Sequence, residues 1–159
     1  MGLLGMMSKA LGTNLKVGDP APLFKSKTHE NKDFDLASRK GSWTVLFFYP
    51  KADTPGCTKQ ACAFRDSVEK IRKVDGEVFG ISGDDVEALV KFKENHQLNF
   101  PLLADPNAEV IKLYDVKMPL LKMASRTTFI IDPSLKIQYI DPKVDLSLIH
   151  ISEPTRQAE

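Results

Sequence analysis

Residues 43–49 read WTVLFFY, a continuous run of β-branched, aromatic and aliphatic side chains with no charge. A strand with one wet face alternates polar and apolar residues. A run without alternation must be covered on both faces, as parallel strands layered between helices are. Residues 77–82 (EVFGIS) and 127–131 (TTFII) read the same way, and residues 100–104 form a weaker strand candidate. Residues 136–140 alternate, after the turn formers Asp132, Pro133 and Ser134. Helices are predicted between these runs. Cys57, Ala61, Phe64, Val68 and Ile71 fall at intervals of four, three, four and three, which is one face of an amphipathic helix. Asp84, with Glu87 three residues on, predicts the capping box of a second helix whose apolar face is Val86, Leu89 and Val90. Asp105 and Pro106 predict the start of a third. Strands alternating with helices predict one α/β domain with a mainly parallel central sheet flanked by helices.

Charge and composition exclude several functions. The net charge is +1, so no general field draws in nucleic acid or anionic lipid. No apolar run approaches the roughly 18–20 residues of a membrane span. Two cysteines are too few for a disulfide scaffold. Residues 1–7 (MGLLGMM) are apolar but short, and no Lys or Arg precedes them, unlike a secretory signal. Residues 1–14 are expected to be a loosely ordered extension, and the protein to be cytoplasmic. In that compartment paired cysteines serve catalysis or metal binding more often than structure.

The informative stretch is residues 50–66, PKADTPGCTKQACAFRD. It follows the most buried strand, and the carboxyl ends of strands are where open α/β sheets collect their chemistry. Pro55 and Gly56 are expected to make the turn, and Cys57 to fall in the first helical turn. Free N–H groups and the positive end of the helix dipole favour a thiolate there. An ordinary thiol, with a pKa of about 8.5, is only a few per cent ionised at neutral pH. The thiolate is the nucleophile that peroxide or disulfide chemistry requires. Cys62, five residues later, would point about 140° away, with its Cα about 8–9 Å distant on an ideal helix. Disulfides need Cα atoms about 4.4–6.8 Å apart. The pair cannot bond while the helix is intact, so a bond would require the first turn or more to unwind. Lys51, Asp53, His29 and His96 read as solvated residues, and Phe47, Phe48 and Tyr49 as core.

Pro50, Thr54 and Cys57 match the Pro-x-x-x-Thr-x-x-Cys pattern, and with Cys62 and the whole phrase FYPKADTPGCTKQACAFRD the segment resembles the active site of peroxiredoxins. It is similar to their PrxQ-like, bacterioferritin-comigratory-protein branch. The resemblance runs from about Leu15 to Asp145 and includes SRTTFIID, whose Arg126 matches the family's active-site arginine. It implies a thioredoxin-like fold and a thiol peroxidase needing no metal, haem, flavin or nucleotide. It implies that Cys57 attacks the peroxide and becomes a sulfenic acid. Thr54 and the Cys57 N–H would hold the peroxide oxygens, Arg126 would stabilise thiolate and leaving oxygen, and Pro50 would shield the site from water. Cys62 would then close an intramolecular disulfide, reduced by a thioredoxin-type partner. Many members of the branch are monomers, and that is the expectation here.

A competing reading is metal binding, since copper-delivery proteins of the same superfamily carry two cysteines and a distant histidine. Their cysteines sit at i, i+4 and share a helix face; the interval here is one residue longer. The carboxyl end is anomalous. The peroxiredoxin domain is expected to span residues 15–145, whereas residues 146–156 (LSLIHISEPTR) resemble a translated transposon-based sequencing adapter. The expectation is that the family's carboxyl-terminal helix is missing and that residues 146–159 are an artefactual tail. A non-catalytic product of a damaged reading frame is the corresponding alternative.

Overall fold

The computed structural model of the chain describes residues 13–142. Chain order is β1 (Lys25–Thr28), β2 (Asp33–Asp35), a 3-10 turn (Leu36–Arg39), β3 (Trp43–Phe48), α1 (Pro55–Lys73), β4 (Gly76–Ser82), α2 (Val86–His96), β5 (Leu102–Ala104), α3 (Glu109–Leu113), β6 (Thr127–Ile131) and β7 (Ile137–Asp141). The strands form one sheet in the order β2-β1-β5-β4-β3-β6-β7.

The uninterrupted apolar run of β3 is explained by burial on both faces. Val45, Phe47 and Tyr49 join Cys57, Ala61, Phe64, Val68 and Ile71 of α1 and Leu89 and Phe92 of α2 in one core. Leu46 and Phe48 point the other way, into a second core with Phe129, Tyr114 and the α3 residues Val110 and Ile111. The Phe47 and Phe64 rings stack with centroids 4.6 Å apart, which seats α1 on the sheet. The layering is thioredoxin-like, an α/β sheet covered by helices. Among the described residues no helix is long and apolar enough to cross a membrane.

The expected mainly parallel sheet is found only at its centre. β3 pairs with β4, and β4 with β5, in parallel, through the crossover helices α1 and α2. The pairings β3–β6, β6–β7, β1–β5 and β1–β2 are antiparallel. Parallel neighbours need a long crossover, usually a helix. β6 and β7 are joined instead by the short turn at Asp132, which accepts from Leu135 N–H through its carbonyl. β1 and β2 lie at the sheet edge, and their short, charged sequences show no apolar run to announce them.

Two helix starts also differ from expectation. Asp85 caps α2 by accepting from Ala88 N–H, leaving Asp84 free for another task. Pro106 precedes α3 rather than opening it. Asp105 reaches past it to accept from the N–H groups of Val110 and Ile111 at 3.1 and 2.8 Å. Thr13 and Asn14, expected within a loose extension, are tied down. The buried Thr13 hydroxyl donates to the Tyr114 carbonyl at 2.7 Å, and Asn14 N–H donates to Asp115. The rest of that extension, the adapter-like tail and the place of the expected carboxyl-terminal helix lie outside the described residues.

Candidate active site

Three segments meet at one end of the central strands. β4 runs parallel to β3 with Ile81 opposite Phe48, so Ser82, Gly83 and Asp84 emerge where the β3–α1 loop begins. β6 runs antiparallel with Thr127 opposite Phe48, so its entry residue Arg126 arrives at the same end. Register therefore brings residues 69 positions apart, Cys57 and Arg126, into contact.

Pro55 occupies the first helical position of α1, with Thr54 as an extended cap residue. Pro55 and Gly56 thus lie inside the helix rather than forming the turn, as suits proline, which has no N–H to satisfy there. The first intrahelical bond runs from Thr58 N–H to the Thr54 carbonyl. That leaves the N–H groups of Gly56 and Cys57 without an intrahelical acceptor, at the positive end of the helix. Cys57 is 1% exposed. Its sulfur lies 3.7 Å from Nη2 of Arg126, which donates toward it. A guanidinium at this position stabilises negative charge on sulfur. Beneath it Tyr49 is wholly enclosed. Burial, with a further contribution from neighbouring Asp84 and Cys57, pushes its phenol well above the ordinary range, so it stays neutral.

Thr54 is half-buried, and its hydroxyl donates to the Lys51 carbonyl at 2.8 Å. The donor is thereby used, and the lone pairs of the oxygen remain to accept. Pro50 is half-buried two residues past the end of β3, at the mouth of the loop. Cys62 is half-buried one and a half turns along α1; both thiols are free and lie in one continuous helix. Pro50, Thr54, Cys57 and Arg126 thus gather at one end of the sheet, while Cys62 is set apart along the helix. Gln60, between the cysteines, is buried, and neither atom of its amide has a hydrogen-bond partner.

Some supports were invisible in advance. Asp84 accepts from Ala52 N–H and from the Ser82 hydroxyl, each at 2.8 Å, bracing the β3–α1 loop against β4. Asp53, expected to be solvated, holds His96 Nε2 at 2.8 Å and ties the same loop to the end of α2. Only the Asp84–Asp85 doublet hinted that one carboxylate could cap while the other braced. We expect Asp84→Ala to lower stability by about 1–2 kcal/mol, because it strands the buried Ala52 N–H. Urea unfolding measures this, and an unchanged midpoint with unchanged slope would remove the bracing role. Among the described residues no three His, Cys, Asp or Glu side chains come together as a metal site.

The fold and the site together define a thioredoxin-like protein with a buried cysteine at a helix start, under an arginine. The chain belongs to the AhpC/TSA family, which it matches over residues 17–140. Its relatives are of the peroxiredoxin Q and bacterioferritin-comigratory type. It is 43% identical over 124 residues to peroxiredoxin Q, chloroplastic, of Oryza sativa subsp. japonica, covering 77% of this chain and 57% of the relative. It therefore spans little more than half the length of that plant protein. It is 40% identical over 146 residues to the peroxiredoxin named bcp of Coxiella burnetii, covering 88% of this chain and 96% of the relative. Among solved structures, the peroxidoxin BcpB of Mycobacterium tuberculosis superposes with a TM-score of 0.76 at 33% identity, covering 91% of this chain and 94% of the other. A mutant of Xylella fastidiosa PrxQ superposes with a TM-score of 0.81 at 24% identity, covering 91% and 98%, a likeness of fold.

Proposed function

We propose that the chain is a thiol-dependent peroxidase that reduces hydrogen peroxide and small organic hydroperoxides, with Cys57 peroxidatic and Cys62 resolving. The observation that carries this reading is the Arg126 guanidinium 3.7 Å from the buried Cys57 sulfur. The Cys57 thiolate attacks the terminal peroxide oxygen. An S–O bond forms, the O–O bond breaks, and the leaving hydroxide or alkoxide is protonated to water or alcohol. Sulfur is oxidised to a sulfenic acid, the first rung of its oxidation ladder. The Thr54 oxygen, its own proton committed to Lys51, accepts from the peroxide O–H. The free N–H of Cys57 and the Arg126 fork face the charge that develops on the separating oxygens. Pro50 keeps bulk water from the site.

Resolution is a second step. The Cys62 thiol attacks the sulfenic sulfur; an S–S bond forms, the S–O bond breaks and water leaves. Both sulfurs lie in one unbroken helix, so the start of α1 must unwind before they meet. A dithiol reductant of the thioredoxin type then restores both thiols. The enzyme acts as a monomer, in a reducing compartment such as the cytoplasm; the plant relatives are named as chloroplastic.

One equivalent of hydrogen peroxide added to reduced protein tests the reading. Both thiols should disappear, and the intact mass should fall by about 2 Da, the two hydrogens lost with the disulfide. A folded sample, checked by circular dichroism, that keeps both thiols would overturn it. Cys62→Ser should still undergo one oxidation but form no intramolecular disulfide. If that variant turns over normally with thioredoxin, Cys62 is not the resolving group.

A further inference from the structure

We propose that Gly56 is a positioning residue for peroxide reduction: its missing side chain is the seat that lets Arg126 reach the Cys57 sulfur. This rests on the roles given above to Cys57 and Arg126. A Cβ placed on Gly56 would lie 2.9 Å from both Nη1 and Nη2 of Arg126 and 3.2 Å from Cζ. Its three nearest neighbours are thus all guanidinium atoms. The forked end of the arginine rests on the glycine backbone, and from there Nη2 reaches the sulfur at 3.7 Å.

The backbone does not ask for glycine here. Gly56 sits in the first turn of α1 and is not among the residues with positive φ, so any L-residue fits its dihedral angles. Glycine is also the poorest helix former after proline. Space, rather than conformation, is the physical reason for it. The position is exposed to solvent, so a small side chain would meet the arginine and little else. Arginine is long and flexible, so the fold would tolerate a methyl group. The guanidinium would give way instead, and the contact to sulfur would lengthen. A residue beside the nucleophile that reads only as part of a turn therefore sets where the charge sits.

The test is a double-mutant cycle on the oxidation step alone. Gly56→Ala also strengthens the helix and could slow its unwinding, so every variant is made in a Cys62→Ser background, where no disulfide forms. The rate of Cys57 sulfenic acid formation with hydrogen peroxide is followed in the parent, Gly56→Ala, Arg126→Ala and the double variant. Gly56→Ala should slow the step by about tenfold, a fraction of what losing a preorganised donor outright costs. In the double variant the alanine should add less than about twofold, because the group it displaces is gone. Arg126→Lys in the same background, which keeps the charge but not the fork, should make the alanine at position 56 cost less than it does beside arginine, a dependence that altered helix stability does not produce. A Gly56→Ala protein that reacts at the parental rate overturns the proposal. So does an equal tenfold loss with and without Arg126, which would mean that Gly56 acts by another route. If Arg126→Ala itself reacts at the parental rate, the assigned role of Arg126 falls, and this proposal with it.

Discussion

Cys57→Ser should abolish peroxide consumption, reducing it to the uncatalysed background. On the proposed reading every other group at the site acts on the Cys57 thiolate or on the bonds it makes and breaks. A serine hydroxyl is close in size but is neither ionised at neutral pH nor able to accept oxygen and return it to a dithiol. Because the side chain is 1% exposed and sits in a packed core, the near-isosteric change should leave the fold in place. Circular dichroism and a peroxide-depletion assay on one sample check both halves. Retained peroxide consumption by the folded variant would move the nucleophile elsewhere, and Cys62 is the one other thiol in the chain.

Arg126→Ala should slow sulfenic acid formation by about 10²–10³-fold, the usual effect of deleting a preorganised donor aimed at developing charge. On the proposed reading the guanidinium acts twice: on the thiolate before attack, and on the oxygen that leaves. Arg126→Lys should fall between parent and alanine, because the charge remains but the fork does not. Stopped-flow measurement against peroxide concentration gives the second-order constant. A value for Arg126→Ala within about twofold of the parent would show that helix-start N–H groups suffice.

The two expectations reach back to different kinds of information. That residues 43–49 are buried on both faces follows from composition alone, and Val45, Phe47 and Tyr49 facing one core with Leu46 and Phe48 facing the other is the outcome. The helical face of Cys57, Ala61, Phe64, Val68 and Ile71 is equally local. The same local geometry places Cys57 in the first turn and keeps Cys62 from it while α1 is wound. Motif spacing picked out Pro50, Thr54 and Arg126 through resemblance, without saying how any of them would touch sulfur.

What the chain's local pattern could not carry was every relation that depends on which strand lies beside which. A period of two or 3.6 reports burial, not partner or direction, so it carries neither the antiparallel direction of β6 nor the short strands β1 and β2 at one end of the sheet. Antiparallel pairing of β6 to β3 is what delivers Arg126 to the end of β3. Asp84 and Asp85 are chemically alike, and only packing makes one a helix cap and the other a brace for Ala52. Gly56 reads as a turn residue until an arginine 70 positions away is found lying on it. Sequence by itself determined where Cys57 sits on its helix, because propensity and periodicity act over a few residues. Tertiary structure decided what surrounds that sulfur, because sheet order and register are settled by the packing of the whole core.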